Sequence, residues 1–337
     1  MPANMKDVSR LAGVSIATVS RVINNAPNVS ADIQKKVNDA IQKLNYEPNK
    51  LAQSLSKSTL QAIGIAAGRV ANYEYTGQVL RAISAVAEQN EYQILLTYSD
   101  TPDNELEKCI SMVKSKIVRG MILLGSKTDD ILIEKLFETQ TPFVVIGRVE
   151  NERLCDKVYT VDTDNFQDCK AATEYLIKLG HKKIACLHSK LCYVGTRDRL
   201  EGFIAAHAEY GIPVDYTFIA ECGHTMGDAR RVCLDILKRD NRPTAILATD
   251  DVKGYGAYSV AIALNLKIPD QLSIVGHNNY DFSQLTVPAM TTIEVPIHDL
   301  GVTATDIFLR QVEKNLPPIR TVLPTRFIVR DSTSACK

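Results

Sequence analysis

From about Gln61 onward the chain alternates short apolar runs with helix-length amphipathic segments, and this alternation limits the fold more than any other feature. The runs "AIGIAA", "YQILLTY", "GMILLG" and "PFVVIG" suit strands buried on both faces. Between them lie "GQVLRAISAVAEQN" and "NELEKCISMVKSK", whose apolar residues recur at helical spacing. Strand, helix, strand, helix requires a parallel sheet with helices on both faces. The theme then repeats with "KIACLH", "TFIAEC", "TAILAT" and "LSIVGH", separated by "CKAATEYLIKLG" and "GDARRVCLDILKR". Two similar α/β halves are expected, meeting near residue 162. Ligands bind beyond the carboxyl ends of parallel strands, so two such halves facing each other make a cleft.

A chain of 337 residues is too long for one core, and two or three domains are expected. It is 45% hydrophobic and 23% charged, with no Trp, as in soluble globular proteins. No apolar run approaches the roughly 20 residues that span a bilayer. The opening "MPANMKD" has no signal-peptide apolar core, so a cytoplasmic protein is expected. Eight cysteines without a single C-x-x-C are neither a disulfide framework nor a zinc pattern; reduced thiols fit that compartment.

Charge is unevenly spread. Residues 1–60 carry eight Lys/Arg against four acids, while the whole chain is neutral, so the remainder is acidic by the same margin. A small basic head on an acidic body suits a head that meets a polyanion. Within it, "DVSRLAGVSIATVSRVIN" reads as two short helices. Val8 and Ala12 fall four apart, as do Val19 and Ile23. Gly13 follows the first helix where a positive φ is needed, and Ser15 stands at the N-cap of the second. Helices joined so tightly cross steeply, as in a helix-turn-helix. With Val19, Val22 and Ile23 inward, the second helix shows Ile16, Ala17, Ser20, Arg21 and Asn24. Small residues allow close approach, and Arg21 offers donors for guanine or phosphate, so this face suits a DNA major groove. The alternative is an ordinary helical hairpin with one solvated face.

A third helix is expected from Ser30, with Ile33, Val37, Ala40, Ile41 and Leu44 as its apolar stripe, ending at Pro48. "NKLAQSLSKS" then reads as helical but too short to be stable alone. It is either a plain linker or a hinge that folds only on a partner, with Leu55 as an apolar wedge for the minor groove.

The segments "MKDVSRLAGVSIATVSRVINN", "VSADIQKKVNDAIQKLNYEPN" and "LAQSLS" resemble the DNA-binding head and hinge of the lactose/galactose repressor family nearly continuously. The resemblance implies that Ile16, Ala17 and Arg21 contact bases. It puts Ser15, Thr18, Ser20 and Asn24 nearer the DNA backbone, and makes Leu55 pry open a central base step. Gln53 departs from the arginine of many family hinges. The body resembles the same family around "VDTDN", "RPTAILATDDVKGYGA", "IPDQLSIVGHNNYD" and "TVPAMTTIEVP", in order and spacing. It implies a periplasmic-binding-protein-like body whose chain crosses three times between lobes. The implied division is a head at 1–48, a hinge at 49–60 and a body at 61–337. Its first lobe takes about 61–161 and 292–319; its second takes about 162–291 and 320–332. "TVLPTRFIVRDST" is expected to add a last strand to the second lobe.

For the cleft, the resemblance implies Arg199 as the arginine presented to an effector. Asp250 and Asn278 stand at strand ends facing the cleft, with Asn278 where the family usually has Asp. Tyr75 falls on the first-lobe wall and Arg148 at another strand end. Each also has a plain structural reading, as a helix cap or the partner of a neighbouring charge. "SKLCYVGTRDRLEGF" resembles the maltose-type regulators of low-GC Gram-positive bacteria, which points to maltose or a related α-glucoside. The family pattern further implies a homodimer through Tyr75–Glu88 on a pseudo-palindromic operator. Some relatives take a phosphorylated carrier protein as corepressor, and no motif here points to one.

An enzyme on this fold is the rival class. No G-x-G-x-x-G, no G-x-x-x-x-G-K-[ST] and no G-x-S-x-G is present, and the six His show no H-E-x-x-H. No cofactor, metal or catalytic activity is expected. A second rival, an exported two-lobed sugar-binding protein, does not account for the head.

Overall fold

The computed structural model describes residues 3–23, 26, 29–46, 61–69, 73–99, 101–314 and 317–337. Contacts divide the chain into two compact units, Met1–Gln61 and Ala62–Lys337.

The first unit is built from α1 (Met5–Ala12), α2 (Ile16–Ile23) and α3 (Ala31–Leu44). The Asn4 side chain caps α1 and Asp7 returns the bond, a reciprocal capping box. Gly13 ends α1 at φ 67°; nothing crowds the site, so the left-handed backbone alone demands glycine. Two residues on, Ser15 Oγ accepts from the Thr18 N–H at 3.1 Å and starts α2. Val8, Val19, Val22, Val37 and Ala40 form the core, flanked by Ile23, Ile33, Ile41 and Leu44. Ser30 starts α3 by backbone geometry alone, without a side-chain cap bond.

In the second unit, one sheet takes the order β11-β5-β4-β3-β1-β2. Its strands are β1 (Ala62–Ala66), β2 (Gln93–Thr97), β3 (Gly120–Leu124), β4 (Phe143–Ile146), β5 (Tyr159–Asp162) and β11 (Arg320–Val322), and every pairing is parallel. Helices α4 (Tyr73–Gln89) and α11 (Ile297–Lys314) cover one face; a Cβ on Gly301 would meet Ala82 at 2.7 Å, so only glycine lets them approach this closely. Helices α5 (Pro102–Lys114) and α6 (Ile131–Glu138) complete this first lobe.

The second lobe holds a parallel sheet in the order β7-β6-β8-β9: Ile219–Glu221, Ile184–His188, Ala245–Ala248 and Ser273–Val275. It is covered by α7 (Asn165–Lys178), α8 (Val194–Glu209), α9 (Met226–Leu237) and α10 (Asp251–Ala263). The end of the chain departs from expectation. "TVLPTRFIVRDST" is split by Pro324. Its upstream part belongs to β11, which pairs with β5 in the first lobe. Its downstream part is β12 (Arg326–Ile328), antiparallel to β10 (Thr292–Glu294). Single bridges at Val275–Thr291 and Asn278–Glu294 tie this ribbon to the second lobe. The boundary drawn at residue 320 therefore assigned β11 to the wrong lobe: Pro324 cannot donate to a ladder, and the strand breaks there.

Candidate functional site

In the first unit, α2 turns its apolar stripe inward and leaves a compact face outward. Ser15, Ile16, Ala17 and Arg21 are exposed, Ile16 at 43%, while Thr18 and Ser20 are half-buried. Ile16 is left in water by a helix whose valines pack into the core. Asn24 and Leu55 lie outside the described residues.

In the second unit, the strands of both lobes end at a shared cavity enclosing about 850 Å³, its mouth included, within the range of small-molecule sites. The first lobe contributes Tyr75, Ser126, Gly147 and Asp162; the second contributes Asn165, Ser189, Tyr193, Thr196, Arg199, His224, Asp250 and Asn278. Tyr75, Arg199, Asp250 and Asn278, named from the sequence, thus meet in one place. Arg148 does not.

Arg199, on α8, is fixed by two bonds. Its Nε donates to Asn165 Oδ1 at 2.8 Å and Nη1 to the Thr249 carbonyl at 2.5 Å. Among the described residues no carboxylate forms an ion pair with it, so its charge is directed by neutral groups. Asp250 caps α10: Oδ1 accepts from the Lys253 N–H at 3.0 Å and Oδ2 from Lys253 Nζ at 2.6 Å. Burial pushes this carboxyl's pKa up, but the Lys253 charge and hydrogen bonds outweigh it and hold it below the ordinary value. Asp250 is therefore a fixed carboxylate with acceptor capacity to spare.

Asn278 sits at φ 101°, a conformation Asn tolerates better than most side chains. Its Nδ2 donates to the Tyr280 hydroxyl at 2.7 Å, which Asp could not do. Its neighbour His277 is fully buried; burial first, then the Arg199 charge, push its pKa well down and keep the ring neutral. Tyr75 is held as a phenol, its pKa raised by burial and by Asp162.

The sequence reading missed Asp162, Tyr193 and His224. Asp162 ends β5 at the first crossing between lobes, and its Oδ1 accepts from the Thr163 N–H at 2.8 Å and Asn165 Nδ2 at 3.1 Å. Burial, with the nearby Asp198 charge, raises its pKa to about 6, against the pull of the Thr163 bond and of Arg199 and Arg148. Its signal was the acid directly after an apolar strand. Tyr193 and His224 meet edge to face at 6.4 Å between centroids; both come from loops, and no spacing betrays them.

Arg148 is not among the residues lining this cavity and is held as an ion-pair partner. Its Nη2 and Nε donate to the two oxygens of Asp198 at 2.6 and 3.1 Å.

A helix-turn-helix unit and a separate two-lobed body with a polar cleft define a DNA-binding regulator with a small-molecule-binding domain. Comparison with known proteins agrees. Residues 4–49 match the family of bacterial regulatory proteins called lacI, and residues 173–333 match a periplasmic binding protein-like domain. The ribose operon repressor of Halalkalibacterium halodurans is 31% identical over 98% of this chain and 96% of its own. The catabolite control protein A of Priestia megaterium is 30% identical over 99% of this chain and the whole of its own. A crystal structure of the lac repressor dimer bound to operator and an anti-inducer superposes with a TM-score of 0.88 at 25% identity, covering 99% of this chain and 100% of that one. The chain belongs to the LacI family of DNA-binding transcriptional regulators.

Proposed function

We propose that this protein is a repressor of carbohydrate-utilisation genes, acting in the cytoplasm as a homodimer on a pseudo-palindromic operator and controlled by a small neutral sugar in the cleft. The observation that carries the reading is the convergence of Arg199, Asp250, Asn278 and Asp162 on one cavity. A guanidinium with no carboxylate ion-paired to it among the described residues, a fixed carboxylate and an amide offer donors and acceptors together. Such a set matches neighbouring hydroxyls, each of which both gives and takes a proton. Tyr75 and Tyr193 add ring surface for the apolar face of a sugar.

Two exposed apolar sites support self-association. Beside α4, the edge strand β2 exposes Leu96 at 53%, with Tyr98 just beyond it. On the second lobe Leu285 and Val287 are 75% and 89% exposed. A two-fold dimer that covers such surfaces places two α2 faces on two half-sites. Sugar binding changes the lobe angle and with it the spacing of the two hinges, at a coupling of about 1–3 kcal/mol.

Maltose or a related α-glucoside is the leading effector, on the resemblance of 189–203; ribose is the competing one, on the name of the Halalkalibacterium relative. Titration calorimetry with maltose, cellobiose and D-ribose decides between them. Arg199→Ala is expected to weaken the binding sugar by roughly 10- to 100-fold, since hydrogen bonds from a charged donor are worth about 1.5–3 kcal/mol. Unchanged affinity in that variant removes Arg199 from the site.

A further inference from the structure

We propose that Arg148 is a positioning residue: by gripping Asp198 across the gap between the lobes, it holds the cleft closed and sets the place of Arg199, the next residue of α8. Arg148 leaves the end of β4 in the first lobe and Asp198 belongs to α8 of the second, so the pair lies in neither lobe's own core. The grip is two-pronged, at 2.6 and 3.1 Å, the geometry in which a guanidinium fixes a carboxylate most firmly. Asp198 is 8% exposed and the Arg148 side chain 29%, so water screens the pair in part.

Three further charges extend it. Glu150 Oε1 lies 3.7 Å from Arg148 Nη2 and also pairs with Arg197. The first lobe thus supplies Arg148 and Glu150 and the second Arg197 and Asp198, with Glu201 of the second lobe 3.7 Å from Arg197 Nε. The same edge carries a backbone strap. The Thr128 N–H donates to the Cys192 carbonyl at 2.9 Å and the Val194 N–H to the Ser126 carbonyl at 3.1 Å, with Lys127 and Tyr193 bridged antiparallel between them. Ser126 Oγ donates to the Arg148 carbonyl at 2.5 Å, which joins strap and grip into one unit.

This unit is wired to the cavity. Asp162 lines the cleft on one side and, on the other, a side hollow that it shares with Arg148 and Asp198. Strap residues Ser126 and Tyr193 are themselves cavity walls. Opening the grip therefore moves a wall and the arginine presented to the ligand together. The proposal does not depend on which molecule fills the cleft.

The test is site-resolved hydrogen exchange on the full chain without added sugar. Arg148→Ala and Asp198→Asn are each expected to speed exchange of the Thr128 and Val194 amides on the order of tenfold, the effect of one partly buried ion pair. The double variant is expected to be no faster than either single one, Arg148→Lys to recover part of the protection, and amides of β6 and β8 to stay unchanged. If Arg148→Ala does not fold, Asp198→Asn, nearly the same shape, reads the same amides. Unchanged strap amides, additive effects in the double variant, or equal acceleration across β6 and β8 overturns the proposal, and none of these results bears on sugar or operator binding.

Discussion

The Lys253 ammonium lies 2.6 Å from an Asp250 oxygen at a position where the lysine is 1% exposed. An ammonium so buried is tolerable only because a carboxylate meets it, and the carboxylate stays ionised only because of the ammonium. The pair fixes the cleft-facing acid of the second lobe.

Lys253→Met keeps the length of the side chain and removes the charge. Asp250 is then a buried anion with its main counter-charge gone, and the body is expected to lose about 3–5 kcal/mol of stability. Urea unfolding at pH 7 measures it. Lys253→Met combined with Asp250→Asn is expected to regain part of the loss. A single variant as stable as the parent contradicts the pairing.

Asp162 gives a pH signature. Its folded pKa, about 6, is raised above the ordinary carboxyl value of 3.8. The folded state therefore binds more protons than the unfolded one between those values, and this group's contribution to stability falls as pH rises from about 4 to 6. The loss is on the order of 1–3 kcal/mol. Asp162→Asn can keep both bonds, since both fall on Oδ1, while removing the titration. Its stability is expected to lack that fall, and equal pH slopes for variant and parent count against the assignment.

What was legible in the sequence is what local chemistry decides. Gly13 needed a positive φ and has one; Ser15 had a cap to make and makes it; Val19 and Val22 fell on the buried stripe. Strand-end positions were legible too, because apolar runs stop where sheets stop: Asp250 and Asn278, just beyond β8 and β9, line the cavity, together with Tyr75 and Arg199 from helices. Arg148 shows the limit. Position placed it at a strand end, but Asp198 lies 50 residues away, and nothing local announces that pairing. Tyr193 and His224 failed for the same reason, as loop residues brought together by the fold. The two strands in "TVLPTRFIVRDST" were read as one because each is only three residues long.

In the head, Arg21 and Leu55 are expected to separate two kinds of binding. Arg21→Ala should cost about 1–3 kcal/mol and relax preference at one base pair of each half-site. Leu55→Ala should weaken specific binding and leave non-specific binding nearly intact, because a wedge gains only where the base step yields. Equal loss on specific and random duplex contradicts the wedge.

The central claim is that the exposed face of α2 reads duplex DNA under control of the cleft. Selection of a binding site from random duplex, followed by affinity titration on the selected site across salt and with each sugar, tests it most directly. The account predicts a two-fold symmetric site, affinity falling by roughly one log unit per log unit of salt for each phosphate contacted, and a shift on adding one sugar. No preference for any symmetric site over random duplex, with every sugar present or absent, contradicts it.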